Sequence, residues 1–215
     1  MVELWFSTNS SGCCPGDETL RNDAEMIVAI DADSKDTAAA DHLLYDLLDA
    51  VDQPVVACTH LVPGADGPHV AVSLTSTADL ADPIRAAVQG RDVGLAITRP
   101  GASEPELAGP SRLVRGAYAA AVEAALGTAG RVVRWPGHEQ ARGVLPAVEL
   151  RTRCGIDQLE GIGGVPVDDD TLIDTLDFLR PQRRDGRLVL QVQPAAGNML
   201  IPFELRHQQK CCADT

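Results

Sequence analysis

PVVACTHLVPGADGPHVAVSLT, residues 54–75, carries a strong β-hairpin signal, and the predicted fold is built around it. Residues 54–62 and 69–75 are rich in β-branched side chains, which favour strands. Between them, residues 63–68 contain two prolines and two glycines, a composition typical of a turn. We therefore predict two antiparallel strands joined by a short loop.

The elements predicted on both sides of this hairpin are two strands and two helices. They are a strand at residues 26–30, a helix at residues 37–51, a helix at residues 77–89 and a strand at residues 93–98. Asp36 or Thr37 is the predicted N-cap of the first helix, because short polar side chains satisfy free N–H groups there. The resulting order, β-α-β-β-α-β, is that of a ferredoxin-like α+β sandwich.

The second half of the chain is predicted to repeat this order, with a Pro136-Gly137 turn that matches Pro63-Gly64. Its predicted elements are a helix at residues 112–126, strands at 131–135 and 144–153, a helix at 168–179 and strands at 187–193 and 199–206. The predicted fold is thus an α/β protein of the α+β type. It has two ferredoxin-like βαββαβ halves, related as a circularly permuted duplication, and an additional N-terminal strand at residues 2–8.

Four segments follow from this division of the chain. They are an N-terminal strand with the first half at residues 1–99, a linker at 100–111, a second α+β half at 112–207 and a tail at 208–215. The linker contains three prolines and two glycines, which disfavour regular structure. A seam between two packed halves is a common position for a ligand or partner.

Composition limits the kinds of partner. With 215 residues, of which 45% are hydrophobic, the chain can bury a full core, but only 3% of it is aromatic. A net charge of −13 repels nucleic acid and anionic membranes, so neither is an expected partner. No apolar run reaches a bilayer's length, and the first residues do not resemble a signal peptide. We expect a soluble, cytoplasmic protein, and the use of arginine over lysine is typical of a GC-rich bacterial genome.

Two pairs of carboxylates are candidate catalytic groups. Asp31 and Asp33 follow a predicted strand, where an acidic pair could act as nucleophile or as ligands of Mg²⁺, which prefers oxygen. Asp169 and Asp170 could complete such a site from the second half. The alternative is that both clusters cap helices, since aspartate is favoured before a first turn.

Two further sets are candidate metal ligands. Cys58 and His60 share a face of one predicted strand, and His69 begins its partner, so these three could bind Zn²⁺. A second set would form only if the chain termini meet, giving a zinc site or a redox-active pair. It consists of Cys13, Cys14, His207, Cys211 and Cys212.

The sequence favours a soluble acidic module that binds a protein partner or a small-molecule ligand, with its oligomeric state left open. One alternative is a metal-dependent enzyme that acts on a small substrate through Asp31 and Asp33. A second alternative is the cysteine-based metal or redox site that joins the termini. The divalent metal implied by these alternatives is Mg²⁺ or Zn²⁺.

Overall fold

The computed structural model describes residues 25–64 and 67–206. Within them, the protein is a mixed α/β protein, with four α-helices and twelve strands joined into one mostly antiparallel sheet. The strand predicted at residues 2–8 and the tail at residues 208–215 lie outside the described residues. None of the helices in the described ranges is long and apolar enough to cross a membrane.

The first half, residues 26–98, contains the six predicted elements in the predicted order. They are β1 (Met26–Ser34), α1 (Thr37–Asp49), β2 (Val56–Val62), β3 (His69–Ser76), α2 (Ala81–Ala87) and β4 (Gly94–Thr98). Antiparallel pairing arranges the four strands in the spatial order β4-β1-β3-β2. The predicted hairpin is therefore confirmed as the β2–β3 pair.

The second half has more and shorter elements than predicted. After β5 (Glu106–Ala108), it contains α3 (Ser111–Leu126), β6 (Arg131–Arg134), β7 (Val144–Pro146), α4 (Ala147–Thr152), β8 (Gln158–Gly161), β9 (Leu172–Asp174), β10 (Gln182–Arg184), β11 (Arg187–Pro194) and β12 (Leu200–Pro202). Strand β5 lies within the predicted linker and pairs with β4. The division of the chain into two halves joined by that linker stays a prediction.

Two predicted elements of the second half are wrong. The strand predicted at residues 144–153 ends at Pro146, because this proline precedes a run of residues that form the short helix α4. The helix predicted at residues 168–179 is absent, and the segment supplies β9 instead. Pairing of β9 with both β7 and β12 buries Ile173, and this outweighs the preference of a helix N-terminus for the aspartates at residues 168–170. The predicted duplication is not confirmed.

One continuous sheet links the halves. Strand β2 pairs with β6, and from there the order continues as β10-β11-β12-β9-β7, with β8 parallel to β11. Alternate residues of β1 contribute to two different apolar clusters, so these clusters lie on opposite faces of the sheet. Helices α1 and α2 cover one face, and α3 covers the other.

Helix α3 approaches the sheet closely because the facing side chains are small. Ala117, Ala120, Ala121 and Ala124 are buried against alanines of the sheet. A Cβ atom on Gly94 would lie 2.2 Å from the backbone carbonyl carbon of Leu113, so only glycine fits there. This close packing encloses a group of polar side chains beneath the helix.

Candidate functional site

Asp31 and His69 form a buried pair beneath α3. The Asp31 side chain is 0% exposed, and its Oδ2 atom lies 2.8 Å from Nε2 of His69. The other oxygen, Oδ1, accepts a hydrogen bond from the backbone N–H of Asp33 at 2.8 Å. Gly116 of α3 allows this arrangement, because a Cβ atom there would lie 1.9 Å from Oδ2 of Asp31. Both oxygens of the carboxylate are therefore already engaged.

Asp33 lies at the surface edge of this pair. Its backbone φ of 56° is in the left-handed region, and the register of the β1–β3 pair shifts between Ile30 and Ser34. A hydrogen bond from Lys35 lowers the pKa of the Asp33 carboxyl. Asp31 and Asp33 thus lie close together, as their predicted position after a strand implied. The Asp31 carboxylate holds the turn at Asp33 and the ring of His69 in place.

Asp169 and Asp170 lie in the turn before β9, in the second half. Oδ1 of Asp169 accepts a hydrogen bond from Nη1 of Arg151. Neither residue has a hydrogen bond or ion pair with Asp31 or Asp33. Because the predicted helix is absent, the side chains of these aspartates do not cap it, although the backbone carbonyl of Asp169 accepts a hydrogen bond from the N–H of Val148 in the first turn of α4. The Asp36 side chain does cap a helix, accepting a hydrogen bond from the backbone N–H of Ala39.

His60 lies at the centre of a second buried chain of hydrogen bonds. Its Nε2 atom is 2.8 Å from Oγ of Ser73, and its Nδ1 atom is 2.9 Å from Oε2 of Glu123. This order of groups, hydroxyl to imidazole to carboxylate, is the one that activates a serine nucleophile. Ser73 is 0% exposed, however, so no substrate reaches its hydroxyl. This series of hydrogen bonds satisfies the buried polar groups of Ser73 and His60 beneath α3.

The predicted metal sets gain no support within residues 25–64 and 67–206, where no three or more His, Cys, Asp or Glu side chains are grouped to hold a metal ion. Cys58 and His60 both lie against Gly130, but His69 is paired with Asp31. Burial raises the pKa of the Cys58 thiol to about 12, so the thiol is protonated in the metal-free protein. The set of Cys13, Cys14, His207, Cys211 and Cys212 lies outside the described residues.

A large open cleft lies where α1 meets the second half. Its volume is about 1170 Å³, and we call it the arginine cleft after five of its lining residues. These are Arg131, Arg180, Arg183, Arg184 and Arg206. Only two carboxylates, Asp41 and Glu204, line the same cleft. The cleft is therefore locally cationic in a chain whose net charge is −13.

Arg131 joins the two sides of the arginine cleft. Its guanidinium donates to both oxygens of Asp41, on α1, and to both oxygens of Glu204, at distances of 2.6–3.1 Å. Burial by itself would lower the pKa of Arg131, but these hydrogen bonds outweigh it and raise that pKa. Arg131 is thus neutralised, and its charge is not available to a ligand.

Arg180 and Arg183 retain unused donors. The Arg180 side chain is 6% exposed, donates to the Tyr45 hydroxyl at 2.8 Å and stacks over the Phe178 ring at 4.1 Å. Among the described residues, the Nε atoms of Arg180 and Arg183 are buried without a hydrogen-bond partner. A buried donor without a partner is costly, and in native proteins it often marks the position of a water, an ion or a ligand.

These features define a class of protein, a mixed α/β protein with a cationic cleft beside its sheet. No protein-family model matches the chain, and neither the curated proteins nor the solved structures include a match.

No motif in the amino-acid sequence predicted the arginine cleft. Its arginines come from β6, β10 and the segments around them, and they are spread over residues 131–206. Their local spacing has no recognisable pattern. The available signal was indirect, because arginine predominates over lysine in an acidic chain and a seam between halves was expected.

Proposed function

We propose that this protein is a binding module that holds a small anionic ligand in the arginine cleft. The observation that carries the proposal is the positive excess of the cleft, which Arg183 and Arg206 line without an ion pair to any carboxylate among the described residues. An anion would supply the missing counter-charge. Arginine suits this role because its planar fork matches carboxylate and phosphate oxygens.

The charges of the cleft support an anionic ligand. Arg131 is neutralised by Asp41 and Glu204, and Arg184 pairs with Glu160 at 2.9 Å. Arg183 and Arg206 have no ion pair with any carboxylate in the described residues, so the cleft keeps a positive excess. In a chain of net charge −13, that excess attracts an anion to one place on the surface.

Isothermal titration calorimetry with inorganic phosphate and with citrate tests the proposal. We expect binding at low ionic strength that weakens as salt is added, because salt screens the charges. Arg183→Gln removes the donor fork and should raise the Kd about 10- to 150-fold, since a hydrogen bond to a charged group is worth about 1.5–3 kcal/mol and each 1.4 kcal/mol is about tenfold.

The matched control is Arg187→Gln. Arg187 is exposed, lies on β11 and is not part of the cleft lining. This variant should bind both anions as the wild type does. The proposal fails if wild-type protein binds neither anion, or if Arg183→Gln and Arg187→Gln have the same affinity.

We also propose that residues 26–98 form a ferredoxin-like unit. The support is the element order β-α-β-β-α-β, the strand order β4-β1-β3-β2 and the packing of α1 and α2 on one face of the sheet. The unit would serve as the rigid frame that presents α1 to the cleft. A crystal structure with α1 and α2 on opposite faces would contradict it.

A further inference from the structure

We infer that the ligand of the arginine cleft combines an aromatic ring with the anionic group, as a nucleoside monophosphate does. This inference rests on the proposed function and specifies it further. Its basis is the position of the aromatic side chains, which the anion hypothesis does not use.

Aromatic residues are concentrated in the cleft. The whole chain has three phenylalanines and two tyrosines, and two of those phenylalanines and one of those tyrosines line this cleft. They are Tyr45, Phe178 and Phe203. Only 3% of the chain is aromatic, so the clustering is not a consequence of abundance.

Two of these rings are exposed to a ligand. Tyr45 and Phe203 are each 47% exposed, although burying an aromatic ring is usually favourable. Phe178 is covered by Arg180 at 4.1 Å and has Arg206 at 5.4 Å. An exposed ring beside arginine donors offers a stacking surface for a flat group next to an acceptor site for its anion.

The size of the cleft agrees with such a ligand. Pockets for drug-sized and cofactor-sized molecules have volumes of roughly 300–1,000 Å³. The arginine cleft, at about 1170 Å³, has room for a base, a sugar and a phosphate together. Inorganic phosphate alone would make no use of the exposed surfaces of Tyr45 and Phe203.

Titration calorimetry with three probes separates the contribution of the aromatic ring to binding from that of the anionic group. Wild-type protein should bind adenosine 5′-monophosphate at least about tenfold more tightly than ribose 5-phosphate, which carries the same anionic group without an aromatic ring. Adenosine, which lacks the anion, should also bind more weakly than the monophosphate. Phe203→Leu should raise the Kd for adenosine 5′-monophosphate by about 5- to 100-fold and leave the Kd for ribose 5-phosphate unchanged.

Tyr118→Leu is the control, because Tyr118 is also 47% exposed but lies on α3, outside the cleft lining. It should change neither affinity. If the monophosphate and ribose 5-phosphate bind equally well, the inference is overturned and the proposed function stands. If neither these two nor inorganic phosphate binds, both are overturned.

Discussion

Burial determines the chemistry of individual side chains in this protein. Cys58 is 2% exposed and packs among apolar residues of the second half, although it lies on β2. Desolvation raises the pKa of its thiol to about 12, and the nearby Arg183 lowers that pKa only in part. In the metal-free protein, a thiol with so high a pKa behaves as a small apolar side chain.

Cys58 should therefore resist alkylation in the folded protein. At a pH of about 8, well below its pKa of about 12, the thiolate fraction is very small and burial blocks the reagent. Iodoacetamide labelling followed by peptide mass spectrometry should give unmodified Cys58 in native protein and modified Cys58 in denaturant. Cys154, whose pKa burial also raises, is the internal comparison. Rapid labelling of native Cys58 would show that this strand is open to solvent.

Local capping determines where the first helix begins. Oδ1 of Asp36 lies 2.8 Å from the backbone N of Ala39, and Asp36 itself has extended backbone angles, as an N-cap does. The leucines of α1 then lie on one side of the helix and pack into the core. The capping hypothesis is confirmed at Asp36, while the aspartates at residues 168–170 precede a strand.

Removing this cap should weaken α1 measurably. Asp36→Ala leaves N–H groups of the first turn without an acceptor, so the free energy of unfolding should fall by about 1 kcal/mol. Asp49→Ala makes the same change at the last residue of the helix, where a negative charge is unfavourable, and should be neutral or slightly stabilising. Urea denaturation followed by circular dichroism measures both. Equal losses in the two variants would contradict the capping role.

At the scale of the molecule, one charged network crosses from the first half to the C-terminal end of the described chain. Arg131, on β6, binds Asp41 of α1 and Glu204, and the three side chains are 11%, 14% and 29% exposed. The β2–β6 pair joins the halves through the sheet backbone, and this network joins them again at the arginine cleft. Losing Arg131 would leave Glu204 without its ion-pair partner and Asp41 with only Arg180, whose Nη2 atom lies 3.4 Å from Oδ2 of Asp41.

Arg131→Met should lower the free energy of unfolding by about 2–3 kcal/mol, which is less than for a fully buried pair because partial exposure screens the charges. The control is Arg91→Met, which breaks an exposed ion pair with Asp46 and should cost under about 1 kcal/mol. Denaturant unfolding of both variants provides the comparison. Adding Asp41→Asn and Glu204→Gln to Arg131→Met should recover part of the loss. If Arg131→Met and Arg91→Met lowered the free energy of unfolding equally, the proposed structural role of the network would be contradicted.

Local patterns in the amino-acid sequence determined the first half of the protein. The β-branched and turn residues of 54–75, the apolar run at 26–30 and the cap at Asp36 act over a few residues, so the six elements follow from them. At residues 168–179 the local signal was misleading. There, pairing of β9 with β7 and β12 outweighed the preference of aspartates for a helix N-terminus.

Only the tertiary structure decided the environment of each side chain. It paired Asp31 with His69, enclosed Ser73 under α3 and gathered arginines from residues 131–206 into one cleft. The physical reason is that burial, charge pairing and cleft shape depend on contacts between residues far apart in the chain. The spacing of residues along the sequence does not show those contacts, whereas strand propensity, turns and helix capping depend on neighbouring residues.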